Sequence, residues 1–258
     1  MIYGINPVLE ALRAGRVKAL LVGGRTDARL TQGIKSAEHA GVPVRRVSSA
    51  ELDCVTRGRV HQGVAAELHA VADLSVSDLL GDGGGSPLLV VLDGIEDPHN
   101  VGAILRTADA AGATGIVRQT RRAAPLGGAA AKASAGAVSY VKVADVVNIA
   151  RALEELKAAG VWTVGLAGDA ALRYDEVDLT LPTALVVGAE GTGLRRLVRE
   201  RCDWVAAIPM GGHVQSLNVS VAAGIVLFEA VRQRRKGEPP LAGARPGIQF
   251  ARGARRTA

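Results

Sequence analysis

Aromatic residues make up only 3% of the 258 positions, so any core must be built from Val, Leu, Ile and Ala. Cys54 and Cys202 are the only thiols. Two cysteines form neither a disulfide framework nor a zinc site, which fits a reducing cytoplasm. No run of roughly 18 uninterrupted apolar residues occurs, so no spanning helix and no membrane partner are expected. The opening Met1-Ile2-Tyr3-Gly4-Ile5-Asn6-Pro7 lacks a charged segment followed by an apolar one, so no export signal is expected. His39, His61, His69, His99 and His213 show no metal-ligand spacing, and no catalytic metal is expected. Hydrophobic residues are plentiful at 48%, enough to bury a sizeable core in one large domain or two modest ones.

The formal charge of +6 is unevenly spread. Residues 1–72 carry +4, residues 73–231 carry −5, and the stretch from Arg232 to the end carries +7. Basic segments of this kind attract phosphates, although a solvated terminal tail has the same composition. Residues 6–69 read as a small α/β unit. A helix opens at Asn6-Pro7 with Val8, Leu9 and Leu12 on one side, and a second, polar helix covers 28–40. Strands are expected at 17–22, 42–47 and 63–69. Residues 73–87 include Asp82-Gly83-Gly84-Gly85-Ser86-Pro87 and read as a flexible linker. Beyond it, strands at 88–92, 115–117, 140–143, 161–165, 184–187 and 205–208 alternate with helices near 99–111, 145–159, 194–201 and 216–235. That alternation predicts an α/β domain over 88–235 with a mainly parallel sheet. Residues 236–258 form a basic tail, expected to be disordered.

Three segments carry the chemistry. The first follows the 88–92 strand: Asp93-Gly94-Ile95-Glu96-Asp97-Pro98-His99-Asn100, then a helix with Val101, Ile104, Leu105, Ala108 and Ala111 on one stripe. Arg106 lies opposite that stripe, and Asn100 sits where a helix cap belongs. On spacing alone, cap and surface charge are the simpler roles for these two. The second segment, Gly188-Ala189-Glu190-Gly191-Thr192-Gly193, has the order GxxGxG. It matches neither the dinucleotide GxGxxG nor a P-loop, since Leu194 and Arg195 stand where Lys and Ser/Thr would be needed. Its glycines allow a ligand close to the backbone. The third, Ile208-Pro209-Met210-Gly211-Gly212-His213-Val214-Gln215-Ser216-Leu217-Asn218-Val219-Ser220, feeds a helix that is apolar almost all round to Val231. Such a helix is buried in a core or against a second subunit.

In this order, Asp97-Pro98-His99-Asn100-Val101-Gly102-Ala103-Ile104-Leu105-Arg106-Thr107-Ala108, Gly188-Ala189-Glu190-Gly191 and Ser216-Leu217-Asn218-Val219-Ser220 resemble the three motifs of the SPOUT methyltransferase superfamily, TrmH family. Tyr3-Gly4-Ile5-Asn6-Pro7-Val8 and His61-Gln62-Gly63 resemble the front domain of the bacterial 23S rRNA guanosine-2′-O-methyltransferases, the RlmB type. The resemblance implies an L30e/L7Ae-like RNA-binding unit before a SPOUT domain whose parallel sheet holds a trefoil knot, assembled as a homodimer. It implies S-adenosyl-L-methionine as cofactor, held by Gly188, Ile208 and Leu217, with Gly191, Met210 and Ser216 beside them and the loop near 165–168. It also implies 2′-O-ribose methylation of a guanosine in 23S rRNA, with Arg106, Asn100, Glu190, Ser216 and Asn218 as the catalytic set. The alternatives are tRNA or another rRNA site by the same chemistry, or an RNA-binding protein that keeps the fold without catalysis. The basic run Arg118-Gln119-Thr120-Arg121-Arg122 reads as RNA-facing surface or as a solvated loop. Calorimetric titration should therefore detect binding of S-adenosylmethionine and none of NAD or ATP; tight NAD binding without donor binding would sink the reading.

Overall fold

The runs at 88–92 and 184–187 are apolar without interruption because their strands have no solvent face. A computed structural model describes residues 1–24, 28–69, 74–80, 86–121 and 123–235. The front unit comprises β1 (Ile2–Tyr3), α1 (Ile5–Arg13), β2 (Val17–Val22), α2 (Ala28–His39), β3 (Val44–Arg46), α3 (Ser49–Thr56) and β4 (Val64–Leu68). The second unit comprises β5 (Leu88–Asp93), α4 (Pro98–Ala110), β6 (Gly115–Gln119), α5 (Ala129–Ala133), β7 (Val143–Val146), α6 (Ile149–Ala158), β8 (Trp162–Leu166) and β9 (Leu172–Arg173). It continues through β10 (Thr183–Gly188), α7 (Arg196–Arg201), β11 (Trp204–Ala207) and α8 (Val219–Arg234). The fold is α/β.

The seven-stranded sheet runs β7-β6-β5-β10-β8-β11-β9, with every pairing parallel. All residues of β5 and β10 are buried, as expected for strands covered on both faces. Successive side chains divide between the two layers. Leu88, Val90 and Leu92 pack with Ile104 and Leu105 of α4 and Val226 and Leu227 of α8. Leu89 and Val91 pack with Ile149, Leu153 and Leu156 of α6.

In the front unit the sheet order is β1-β4-β2-β3, with β2–β3 parallel and the other pairs antiparallel. Val8 and Ala11 of α1 and Leu30, Ile34 and Ala37 of α2 cover one face, and Leu52 of α3 the other. The two front motifs meet here. Gln62 has φ of +53°, and its Oε1 accepts from the Ile5 amide at 3.0 Å. An amide oxygen 57 residues away thus supplies the cap that Gly4 cannot.

Several boundaries differ from the sequence reading. Residues 137–139 form a 3₁₀ turn and β7 begins only at Val143, because Ala137, Val138 and Ser139 are buried against the front unit. There Arg16 Nη1 donates to the Ser139 carbonyl at 3.2 Å, and the Tyr140 hydroxyl donates to Glu10 Oε2 at 2.9 Å. The expected linker is not uniformly loose. Leu74 bridges to Ala144, and Val76 and Leu79 are buried in the core beneath α6. Its glycine run at 82–85 lies outside the described residues, as does the tail at 236–258. Two arginines of the basic stretch that begins at Arg232 are engaged within α8 and its surroundings. Arg234 donates to the carbonyls of Ser86, Leu179 and Leu181 at 2.6, 2.8 and 2.7 Å, and Arg232 pairs with Glu229. Strands β1 and β9 and helices α3 and α5 were not read from the sequence.

Helix α4 is held against α5 at Gly102, where an added Cβ would stand 2.5 Å from Ala133 Cβ and 2.6 Å from the Ala130 carbonyl oxygen. Gly102→Ala should gain about 1 kcal/mol of helix propensity and lose about 1–3 kcal/mol to overpacking against backbone. Net destabilisation is expected in urea unfolding; a raised midpoint would mean α5 yields freely.

Candidate active site

The carboxyl ends of β8, β10 and β11 open onto a cleft of about 960 Å³. Open parallel sheets present their loops, and so their ligands, at that edge. Three loops wall it: 166–169 after β8, 187–194 after β10, and 206–219 after β11. The sequence-predicted Gly188, Gly191, Ile208, Met210, Ser216 and Leu217 all line the cleft, together with Glu190 and Asn218. Its charged lining consists of Asp169, Glu190 and Arg199. Arg199 Nη1 lies 2.9 Å from both Asp169 oxygens, and that guanidinium holds the Asp169 carboxyl below the usual carboxylate range.

Asn218 joins all three chemistry-bearing segments. It is the N-cap of α8, its Oδ1 accepting from the amides of Ser220 and Val221 at 2.9 and 3.4 Å. Its Nδ2 donates to Asn100 Oδ1 at 2.9 Å and to Glu190 Oε1 at 2.6 Å. Asn100 itself is not a cap, contrary to the reading from sequence. Asp97 caps α4, its Oδ1 accepting from the His99 amide, with Pro98 at the first helical position. Asn100 is the third residue of α4, within its first turn, and is 6% exposed; its side-chain amide meets Asn218.

Arg106 is exposed on α4, off the buried stripe of Val101, Ile104, Leu105 and Ala108. Neither Arg106 nor Asn100 lines the cleft, and no hydrogen bond or ion pair of Arg106 is found among the described residues. Gly188 serves the loop before any ligand. A Cβ there would stand 2.2 Å from the Gly193 backbone, so the loop can fold back only over glycine. The basic stretch is also partly structural: Arg118 pairs with Asp145 at 2.7 Å with its side chain 14% exposed, whereas Arg121 is exposed. Among the described residues no group of three or more His, Cys, Asp or Glu could hold a metal ion, and no helix is long and apolar enough to cross a membrane. Burial pushes the Cys202 thiol up to about 12.

Residues 87–228, which contain all three segments, match the SpoU rRNA Methylase family, and residues 1–73 match the RNA 2′-O ribose methyltransferase substrate-binding family. The chain belongs to the SpoU rRNA methylase family. It is 44% identical over 245 residues to the 23S rRNA (guanosine-2′-O-)-methyltransferase RlmB of Pseudomonas syringae pv. tomato, covering 93% of this chain and 98% of that one. Among solved structures, the SpoU methyltransferase AviRb from Streptomyces viridochromogenes is similar with a TM-score of 0.78 and 28% identity, over 92% of this chain and 90% of AviRb. An AdoMet-bound rRNA methyltransferase from Sinorhizobium meliloti is similar with a TM-score of 0.75 and 29% identity, over 89% and 85% of the two chains.

Family motifs pointed to the residues that meet in the cleft but not to those that brace it. Asp93 and Arg195, 102 positions apart, form a bonded pair behind the glycine loop. Asp169 and Arg199 were also missed. A lone acid ending an apolar run was the only signal for Asp93.

Asn218→Ala should lose both the cap, about 1 kcal/mol, and the links to Asn100 and Glu190. Asn218→Ser keeps a capping oxygen but cannot reach both partners. Thermal unfolding should therefore separate the two variants, while calorimetry should find donor binding weakened in both. Undiminished binding in Asn218→Ser would detach the bridge from the site.

Proposed function

We propose that this protein transfers a methyl group from S-adenosylmethionine to the ribose 2′-oxygen of a guanosine in 23S rRNA. The observation that carries the reading is one cleft lined by the second and third family motifs, to which Asn218 ties Asn100 of the first. The relative at 44% identity over nearly both whole chains supports the choice of substrate.

The cleft suits the cofactor. Its walls are backbone and apolar side chains such as Leu166, Val187, Ile208 and Leu217, and no lysine lines it to neutralise a triphosphate. The bound cofactor supplies an electrophilic methyl group on a sulfonium sulfur. Backbone groups of Gly188, Ile208 and Leu217 would hold its adenosyl part, with Gly191, Met210 and Ser216 around it. Glu190 and Asn218, locked to each other and to Asn100, orient the ribose or donor. Holding two reactants in line contributes several kcal/mol to such a step.

The ribose hydroxyl is a weak nucleophile until its proton leaves, to solvent or to a neighbouring phosphate of the RNA. Arg106, exposed and unpaired among the described residues, is suited to stabilise the forming alkoxide. A guanidinium stays charged in proteins, so oxyanion stabilisation is a sounder role than free base. The front unit's positive charge supports RNA capture. Homodimerisation is part of the proposal. Val221 and Phe228 on the outer face of α8 are 49% and 50% exposed, an apolar stripe suited to a second copy. The knotted chain path and a cytoplasmic location beside the ribosome belong to the same reading.

Mapping 2′-O-methyl sites in total RNA with and without the gene tests the substrate: one lost guanosine in 23S rRNA is expected, and a lost tRNA site would move the assignment. Arg106→Ala should lower kcat by about 100-fold or more with donor affinity and melting temperature nearly unchanged. Near wild-type turnover would remove Arg106 from catalysis.

A further inference from the structure

Asp93 is the most enclosed carboxylate of the second unit, 1% exposed, and the transfer chemistry above does not use it. Its bonds go to one residue. Asp93 Oδ2 accepts from the Arg195 amide at 2.8 Å and Oδ1 from Arg195 Nε at 2.6 Å, with Nη2 of the same guanidinium beside it. Arg195 Nη2 also donates to Gln119 Oε1 at the end of β6, at 2.8 Å.

The position of this pair matters more than its strength. In the β5–β10 pairing Asp93 stands in register with Gly188, the residue that begins the glycine loop. Arg195 directly follows that loop. Asp93 therefore stands at both ends of the segment 189–194 that walls the cleft: its backbone is in register with Gly188 in the sheet, and its carboxylate holds Arg195. Between those ends the loop closes on itself, the Gly193 amide donating to the Ala189 carbonyl at 2.8 Å. A buried carboxylate paired with a half-exposed guanidinium is a poor source of net stability, because desolvation of the acid offsets the attraction. A carboxylate at this place is better explained by the geometry it imposes.

We propose that Asp93 is a positioning residue for the methyl donor: through Arg195 it holds the 189–194 loop in the shape that receives the adenosyl group. It acts on donor affinity and leaves the transfer step alone. The inference rests on the reading of the cleft as the donor site.

The test uses full-length protein, calorimetric titration with S-adenosylhomocysteine, and KM and kcat for S-adenosylmethionine. Asp93→Asn and Arg195→Ala should each weaken S-adenosylhomocysteine binding about tenfold, the scale of one hydrogen bond to a charged group, and raise KM in parallel. At saturating donor, kcat should stay near wild type, the signature of lost ground-state binding. Arg195→Lys, which keeps a cation but loses the fork, should fall between wild type and Arg195→Ala. Arg195 is exposed at the surface end of the pair, so its two variants carry the test if Asp93→Asn does not fold. A lower melting temperature with unchanged affinity, or a fall in kcat with unchanged KM, would overturn the proposal. Wild-type protein that binds no S-adenosylhomocysteine would instead overturn the donor-site reading itself.

Discussion

Asn218 uses its two ends for different tasks, and the site depends on both. The oxygen takes the amides of Ser220 and Val221 at the start of α8, which have no acceptor within the helix. Fixing the oxygen fixes the amide plane, and so aims Nδ2 at Asn100 and Glu190. A helix cap worth about 1 kcal/mol is thereby also a positional device. It ties the start of α4, the glycine loop and the start of α8 at one point. Without it, the three loops would lose the one side chain at which they meet.

The cleft owes its chemistry to backbone more than to side chains. Gly188 is needed because Gly193 folds onto it, and the loop so formed presents peptide groups where a side chain would otherwise stand. A cleft with Asp169, Glu190 and Arg199 as its charged lining suits a cofactor recognised by shape and peptide hydrogen bonds. It offers little to a triphosphate. Charge is concentrated instead in the front unit and near the C-terminus, where a polyanionic substrate would first be met.

The front unit depends on a comparable long-range device. Gln62, in a left-handed conformation that asparagine or glycine would adopt more readily, reaches back to cap α1. Helix α1 in turn carries Glu10, which meets Tyr140 of the second unit. The two units therefore share a packed boundary at residues 137–140, just before the strand that the sequence places at 140–143 and that begins only at Val143.

Strong periodicity and unbroken apolar runs made most elements of both sheets legible from the sequence: β2, β5, β10, α2 and α4 lie within a residue or two of their expected limits. Local composition sufficed there because burial on one or two faces leaves a direct imprint on residue type. The linked order of three motifs likewise pointed to Glu190, Asn218 and the loop glycines. Short elements such as β1, β9 and α5 leave no such imprint, since two to five residues cannot establish a period. Tertiary structure alone decided that Asp97 and not Asn100 caps α4, that Arg118 and Arg234 are anchored within the protein, and that Asp93 meets Arg195. Asn100, Arg118, Arg234 and Asp93 each find a partner well removed along the chain, and spacing along a sequence carries no record of which distant group a polar side chain will find.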